Sequence, residues 1–278
     1  MLARHRQSLI FAEVRRIGSA RVSDLTQQLG VSDMTIRRDL EVLARSGLIE
    51  KVHGGAVLPG APSNHEPGFE AKSVLEKPQK EAIARAAAAL VDPGTAIALS
   101  AGTTTFALAQ QLLDVTDLTI VTNSIRVANV FESPRPGAQL SGHASVVLTG
   151  GVRTPSDALV GPIADLGIRS LHVDQLFLGC HGVDPVAGLT TPNLAEAETN
   201  RAFVHAARRV TVVADHTKWG IVGLSSFADL DDVDTIVTDS QLHPEARALL
   251  TERIGQLIIA DGSTDGRPAE ALADEPAL

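Results

Sequence analysis

Apolar residues recur at helical spacing along the first part of the chain. Over residues 4–17, Leu9, Ile10, Val14 and Ile17 share one helical face, and Gly18 stops the run. Ser23 is placed to cap a second helix whose inner face carries Leu25 and Leu29, and Gly30 ends it. Ser32 caps a third helix over residues 33–45, which Gly47 terminates. Within it Ile36, Leu40 and Leu43 lie within about 40° of one another at 100° per residue, a stripe for burial. The opposite face carries Met34, Arg38, Glu41 and Arg45, with Thr35 and Arg37 on its flanks. Residues 48–57 read as a strand, a Gly54-Gly55 turn and a returning strand.

Residues 58–78 contain Pro59, Gly60, Pro62, Pro67, Gly68 and Pro78 without a sustained period, the pattern of a linker. Beyond them the pattern alternates. Helices are predicted over 80–90, from Gly102 to about Leu113, and over 124–131, 196–208 and 244–253. Strands are predicted over 96–99, 118–122, 145–149, 176–178, 210–214, 235–238 and 257–260. Apolar strands alternating with helices imply an α/β body with a mostly parallel sheet covered on both faces. The expected division is a domain over 1–57, a linker over 58–78, an α/β domain over 79–261 and a disordered tail over 262–278, rich in Gly, Ala, Pro, Asp and Glu.

Charge sharpens this division. The net charge of the 278 residues is −9, yet residues 1–60 hold nine basic against six acidic side chains, and the remainder 15 against 27. A small basic head on an acidic body suggests modules with different partners. One cysteine, Cys180, excludes an internal disulfide framework and a cysteine-rich zinc site. No apolar run approaches the roughly 20 residues of a membrane span, and the charged amphipathic start is unlike a signal peptide. A cytoplasmic protein without membrane contact is expected. Aromatic residues at 3%, with no Tyr, disfavour a reader that stacks single-stranded bases.

Helix, helix, glycine turn, helix and hairpin is the order of a winged helix-turn-helix, an α+β head. A solvated helix has little reason to expose Met34, whereas in a major groove its thioether can touch a thymine methyl while Arg and Thr reach base edges or phosphates. The alternative is a solvated face of mixed charge with one stray methionine. The strings Arg21-Val22-Ser23, Leu29-Gly30-Val31-Ser32, Met34-Thr35-Ile36-Arg37-Arg38-Asp39-Leu40 and Val52-His53-Gly54-Gly55-Ala56 resemble the amino-terminal signature of the DeoR family of bacterial transcription regulators. The resemblance implies double-stranded operator DNA as partner. Ser32, Met34, Thr35, Arg37 and Arg38 are then contact candidates, with Lys51, His53 and Gly54 at the wing.

In an open α/β sheet, ligands sit outside the carboxyl ends of the strands. Gly102-Thr103-Thr104-Thr105 follows a predicted strand and opens a helix, so its hydroxyls and free N–H groups suit an anion, although threonine is also an ordinary helix cap. It is not a Walker loop. Other strand ends bring Asn123-Ser124, Gly150-Gly151, Cys180-His181-Gly182-Val183-Asp184 and Asp215-His216-Thr217-Lys218 to the same rim, with Glu196 at a helix start. A lysine among carboxylates and hydroxyls suits a phosphorylated polyol. Each of these residues also has a structural use as a cap, a turn or a surface ion pair.

Gly102-Thr103-Thr104-Thr105, Val121-Thr122-Asn123-Ser124, Gly150-Gly151, Gly182-Val183-Asp184, Gly188-Leu189-Thr190 and Asp215 with Lys218 again resemble the DeoR family, whose sensor domain is similar to ribose-5-phosphate isomerase. The resemblance implies a phosphorylated sugar effector. Its contact candidates are Ser100, Gly102, Thr103, Thr104, Thr105, Asn123, Gly151, His181, Gly182, Asp184, Glu196, Asp215 and Lys218. Ser100 stands where the family often has Asp, and His216 where Ser is usual. A competing reading is a sugar-phosphate isomerase or deaminase with Glu196, Asp215 or His181 as acid and base and Lys218 holding an enediolate. A complete DNA reader argues against it. The expectation is a repressor of carbohydrate genes, a homodimer or homotetramer, with no catalytic residues, no metal and no cofactor.

Overall fold

The computed structural model describes residues 2–17, 19–46, 48–52, 55–57, 68–132 and 144–261. The chain divides into two compact units, residues 1–72 and 73–278.

In the first unit the elements are α1 (Ala3–Ile17), β1 (Ser19–Arg21), α2 (Val22–Leu29), α3 (Asp33–Arg45), β2 (Glu50–Val52), β3 (Gly55–Val57) and α4 (Phe69–Ser73). Helix α2 ends where the sequence demands it, at Gly30 with φ +63°, a backbone state open to glycine at little cost. Its start lies two residues earlier than expected, with Arg21 rather than Ser23 in the cap position. Ser32 caps α3 by accepting the Thr35 N–H. Ile10, Val14, Val22, Leu25, Ile36, Leu40, Leu43, Ile49 and Ala56 form one core.

Strand β1 was not foreseen. It pairs antiparallel with β3, which pairs with β2, so the wing is a three-stranded sheet in the order β1-β3-β2. Three residues are too few to show alternation. A Cβ on Gly55 would lie 2.3 Å from the Ala20 carbonyl oxygen, so glycine is required by the approach of β1 as well as by the turn.

The expected linker is also corrected. Of residues 58–78, 58–67 lie outside the described residues, but Phe69–Ser73 is helical and Lys77–Ala88 forms α5. Phe69 is an apolar side chain that finds burial, and Pro78 sits in the first turn of α5, where its missing N–H removes no helical bond. The tail over 262–278 lies outside the described residues.

In the second unit follow β4 (Ala96–Leu99), α6 (Thr103–Gln111), β5 (Thr119–Thr122), α7 (Ile125–Glu132), β6 (Ser145–Leu148), β7 (Val152–Arg153), β8 (Leu159–Val160), α8 (Pro162–Arg169), β9 (Gln175–Leu178), β10 (Gly182–Asp184), β11 (Gly188–Thr191), α9 (Leu194–Ala206), β12 (Val210–Val213), β13 (Ser225–Ala228), β14 (Thr235–Asp239), α10 (Pro244–Arg253) and β15 (Gln256–Ala260). Seven strands form one sheet in the order β15-β14-β12-β9-β4-β5-β6, and each neighbouring pair is parallel.

Alternation along the central strands sends side chains to two buried faces. Ala98, Leu176, Leu178 and Val212 pack with α8, α9 and α10 residues such as Ile168, Phe203 and Leu250. Ile97, Leu99, Phe177 and Val213 pack with Ile83 of α5 and Leu108 of α6. Burial on both faces is why these strands read as short apolar runs.

The chain leaves β4 to build β5 and β6 on one side, then returns to lay β9, β12, β14 and β15 on the other. The order therefore reverses between β4 and β9, the point at which an open α/β sheet offers a ligand crevice. Three features of this unit were not foreseen: α8, the two-stranded antiparallel sheet β7-β8, and a small antiparallel sheet β10-β11-β13. Gly182 belongs to the last of these.

In the first unit, the polar exception to the core is Asp39, 3% exposed, which accepts from Arg6 Nε at 2.5 Å and Gln7 Nε2 at 2.8 Å. Asp39→Ala removes the buried carboxylate that Arg6 and Gln7 share, so we expect a loss of about 2–4 kcal/mol in the unfolding of this unit. Chemical denaturation of the full chain measures it; a change under half a kilocalorie would mean that α1 and α3 do not depend on the pair.

Candidate functional site

The outward face of α3 is chemically mixed. Met34 is 62% exposed. Ser32 Oγ and Thr35 Oγ1 lie 2.9 Å apart. Arg37 Nε donates to Asp33 at 2.5 Å, an exposed pair whose mutual attraction raises the guanidinium's pKa further. Lys51 Nζ lies 3.3 Å from Glu41. Such exposed pairs are weak enough for a phosphate to displace the acidic partner. Arg38 is exposed and has no side-chain partner among the described residues. The structure thus brings Ser32, Met34, Thr35, Arg37 and Arg38 to one exposed helix start and places Lys51 beside that helix. His53 and Gly54 lie outside the described residues.

At the crevice, Ser100 is 2% exposed and its Oγ accepts the Gly179 N–H at 3.0 Å, tying the end of β4 to the end of β9. Asn123 Oδ1 accepts the Ala101 N–H at 2.8 Å, and its Nδ2 donates to the Leu159 carbonyl at 3.1 Å. Both ends of that amide are spent on backbone, so Asn123 shapes the loop. Gly102 occupies the cap position of α6 with extended φ and no side-chain cap on the helix. Thr105 Oγ1 turns back to the Gly102 carbonyl at 3.1 Å. Thr103 and Thr104 make no side-chain hydrogen bond among the described residues, and the first amides of α6 face the loop uncapped.

Across the rim, Asp215 is 2% exposed and accepts from the backbone and hydroxyl of Thr217, which holds the turn that presents Lys218. Both Asp215 and Lys218 act on Cys180 at the end of β9. Burial pushes that thiol up to about 12, a rise that Lys218 offsets only in part and Asp215 increases. A thiol so held is protonated and unreactive. His216 donates its backbone N–H to Asp239 at 2.8 Å and sets Nδ1 2.9 Å from the same carboxylate. Burial pushes the Asp239 carboxyl up, and hydrogen bonds from His216 and the Gln241 backbone outweigh it, holding it below its ordinary value. His181 is half-buried, and its backbone N–H donates to the Thr190 carbonyl.

Several expected contacts also have structural work. Gly182 makes room for the Ile221 carbonyl, whose oxygen would lie 1.9 Å from a Cβ. Gly151, at φ +121°, lies against Val160, whose carbonyl oxygen would be 2.6 Å from a Cβ. Asp184 accepts the Val186 and Ala187 amides at 2.8 Å each and closes the β10–β11 turn. Glu196 sits in the first turn of α9, its amide capped by Asn193. Among the described residues no cluster of three or more His, Cys, Asp or Glu suits a metal ion. Asp239, Arg126 and Arg153 were not singled out from sequence; the two arginines lie near motif residues, and only the loop folding brings them to the rim.

A helix-turn-helix unit with an exposed arginine-bearing helix, together with an α/β unit whose strand ends carry an anion-compatible helix start, defines the class of a ligand-responsive DNA-binding protein. Residues 6–61 match the DeoR-like helix-turn-helix domain and residues 76–240 the DeoR C terminal sensor domain. The chain belongs to the DeoR family of transcriptional regulators and is not an enzyme. It is 35% identical over 261 residues to an uncharacterized HTH-type transcriptional regulator, YgbI, of Escherichia coli (strain K12), covering 94% of this chain and 99% of that one. It is 35% identical to a putative aga operon transcriptional repressor of Escherichia coli O157:H7, covering 84% and 85% of the two chains. It is 31% identical to the glycerol-3-phosphate regulon repressor of Escherichia coli (strain K12), covering 91% and 97%. Among solved structures, ribose 5-phosphate isomerase A from Methanocaldococcus jannaschii has 16% identity and a TM-score of 0.35, covering 50% and 53%. No helix among the described residues is long and apolar enough to cross a membrane.

The depressed Asp239 carboxyl gives a pH prediction. Its folded value lies below its unfolded one, so it contributes stability present above about pH 4 and lost as pH falls through the folded value. Asp239→Asn is expected to lose about 1–2 kcal/mol near neutrality and to show a shallower acid-side decline in melting temperature. An unchanged acid slope in the variant would place that sensitivity on other carboxylates.

Proposed function

We propose that the chain is a repressor of carbohydrate-metabolism genes whose operator affinity is set by a sugar phosphate in the β4–β9 crevice. The single observation that carries this is the reversal of strand order at β4 and β9, with the uncapped start of α6 opening at that point. A helix start offers unbonded N–H groups and a favourable dipole to an anion. Gly102 and the threonines at 103–105 take the phosphate, and Lys218 approaches from two strands away, across the end of β9. Ser100 and Asn123 hold the loops rather than the ligand. His181, Asp215 and Glu196 face the sugar hydroxyls. The names of two relatives, an aga operon repressor and a glycerol-3-phosphate regulon repressor, support the class of gene controlled and of effector.

On DNA, the amino-terminal turn of α3 enters the major groove, with Arg38 and Met34 at base edges and Ser32, Thr35, Arg37, Lys51, His53 and Gly54 toward the backbone. One head buries roughly 600–1,000 Å², too little for tight specific binding, so the operator is read by a homodimer or homotetramer joined through the sensor units. Arg38→Ala should weaken operator binding by about 1–3 kcal/mol and relax selectivity at one base pair, leaving effector affinity unchanged. Titration of matched and mutated duplexes reads this; undiminished binding to each duplex would remove Arg38 from the interface.

An effector shifts DNA affinity only by its preference between the DNA-competent and incompetent states, ordinarily about 1–3 kcal/mol. Reciprocity requires operator DNA to weaken binding of an inducer by the same factor. The test titrates pentose and hexose phosphates with and without operator, in the natural chain and in Thr104→Glu, which sets a carboxylate where the phosphate would sit. Ligand affinity should drop in both the operator-bound chain and the variant. Equal affinity with and without operator would refute control by that ligand, and intact affinity in the variant would refute the location.

A further inference from the structure

Strand β6 is the outermost strand on its side of the main sheet among the described residues, and Ser145-Val146-Val147-Leu148 carries no charge. Val147 and Leu148 are exposed. An apolar edge strand without charge or proline is a template for further association, and native chains cover such an edge. From β6 the chain runs through Thr149-Gly150-Gly151 into β7 and returns through β8 to α8. Helix α8 lies over that turn. Ile163 Cγ2 is 3.6 Å from the place of a Cβ on Gly150, and Ala164 Cβ is 3.2 Å from that of Gly151. On the outer side of α8, Ile163 is 70% and Leu166 74% exposed, one turn apart. Val152 of β7, which follows Gly151, is 71% exposed. The edge strand and the outer side of α8 thus form one apolar surface, continuous through the 149–151 turn.

Charge decides what can cover it. Beyond residue 60 the chain carries 27 acidic against 15 basic side chains, so one sensor unit repels another over most of its surface. Residues 145–170, which build this face, include two acidic side chains, Asp157 and Asp165, and both are buried. Arginines hold the first, and Thr199 of α9 donates to the second. The exposed cations of the segment are Arg153 and Arg169. On α9, Leu194 is exposed and Glu198 is paired with Arg201. Two copies can therefore meet here without setting acid against acid, and a strongly basic partner finds no exposed carboxylate in the segment. The chain's own remaining stretches are poor covers. Residues 133–143 offer one large apolar side chain, Leu140. Residues 262–278 offer Leu272 and Leu278 among four acidic side chains, and they follow β15, at the opposite edge of the sheet.

We propose that the β6–α8 face joins two sensor units, its partner being a second copy of this chain; this rests on the reading above that two or more heads share one operator. The same patch on each copy meets across a two-fold axis, with Ile163 and Leu166 facing their counterparts at the centre and Val152 beside them. Arg153 and Arg169 lie in the polar rim, where charged groups stay hydrated. The contact covers the open edge of both sheets. Because it is isologous it closes on itself, giving a pair rather than an open fibre.

The test is sedimentation equilibrium of the full chain, with the melting temperature of each sample measured alongside. The natural chain is compared with the double variants Ile163→Glu/Leu166→Glu and Ile163→Lys/Leu166→Lys. Val186→Glu is the control, an equal change at an exposed apolar residue in the β10–β11 turn. We expect the natural chain and the control to associate alike, and each double variant to dissociate at least about a hundredfold more readily, the scale of losing a central apolar contact. An equimolar mixture of the two double variants should associate again, since opposite charges then face each other across the axis. A natural tetramer that the double variants split into dimers also supports the face as a contact between copies. Loss of association that mixing does not restore would mean that the substitutions act through the fold, and it overturns the proposal. Unchanged association in both double variants overturns it while the shared-operator reading stands, joined through another face. If their melting temperature also falls, a segment of the chain itself covers the patch. A natural chain that stays monomeric at high micromolar concentration overturns both.

Discussion

The Gly179 amide donates to the buried Ser100 hydroxyl, and the Ala101 amide to the side chain of Asn123. These two bonds answer a constraint that the rest of the sensor depends on. A parallel sheet covered on both faces ends its strands at one rim, and the chain must leave each end without stranding backbone donors. Helix starts absorb some of them. After β4 the chain turns into α6 on one face, while after β9 it enters the β10–β11 hairpin before α9 on the other, so side chains tie the strand ends together. Ser100 and Asn123 do so from beneath, which leaves the amides of α6 above them unspent. The crevice is thus a consequence of the topology, and its anion-compatible lining a consequence of how the strand ends are held.

That logic separates what is legible in the sequence from what is not. The five inner strands of the main sheet show as apolar runs because burial on both faces leaves no polar alternation to confuse them, and the partly exposed edge strands β6 and β15 are apolar runs as well. Their rim is legible because it collects Gly, Ser, Thr and Asn after each run. The roles within the rim are not legible. Gly182 and Asp184 look like ligand contacts from their place in a motif, yet they serve a close approach to Ile221 and a hairpin turn. A glycine that admits a ligand and one that admits another strand have the same sequence signature. The helix α8 behind Gly161-Pro162 and the early start of α5 at Lys77 were missed for a related reason. Proline reads as punctuation, but in a first turn it costs the helix nothing.

Asp39 shows the same limit in the first unit. A polar residue beside the Ile36, Leu40 and Leu43 stripe reads as solvent-facing, and periodicity carries no information about a partner some thirty residues away. Arg6 and Gln7 reach it from α1, so one carboxylate orients two helices that apolar packing alone holds with less angular precision. The face of α3 directed outward is then fixed relative to α1. Recognition of DNA depends on that orientation as much as on the residues the face displays.

The charge balance sets a final requirement. Beyond residue 60 the chain carries 27 acidic against 15 basic side chains, so the average field of the sensor repels both an anionic effector and a duplex. Charges beyond about 8 Å are largely screened at physiological ionic strength, and binding is decided by groups within that radius. On the proposed reading those groups are Lys218, in the turn after β12, and the helix-start amides of α6. The acidic surroundings act as a filter: an anion that cannot engage several of these donors together gains too little to overcome the background. A singly charged metabolite of the right size meets the same repulsion with fewer contacts. The selectivity of the sensor therefore arises from the spacing of fixed donors in an unfavourable field, and a more basic body would bind anions more tightly while telling them apart less well.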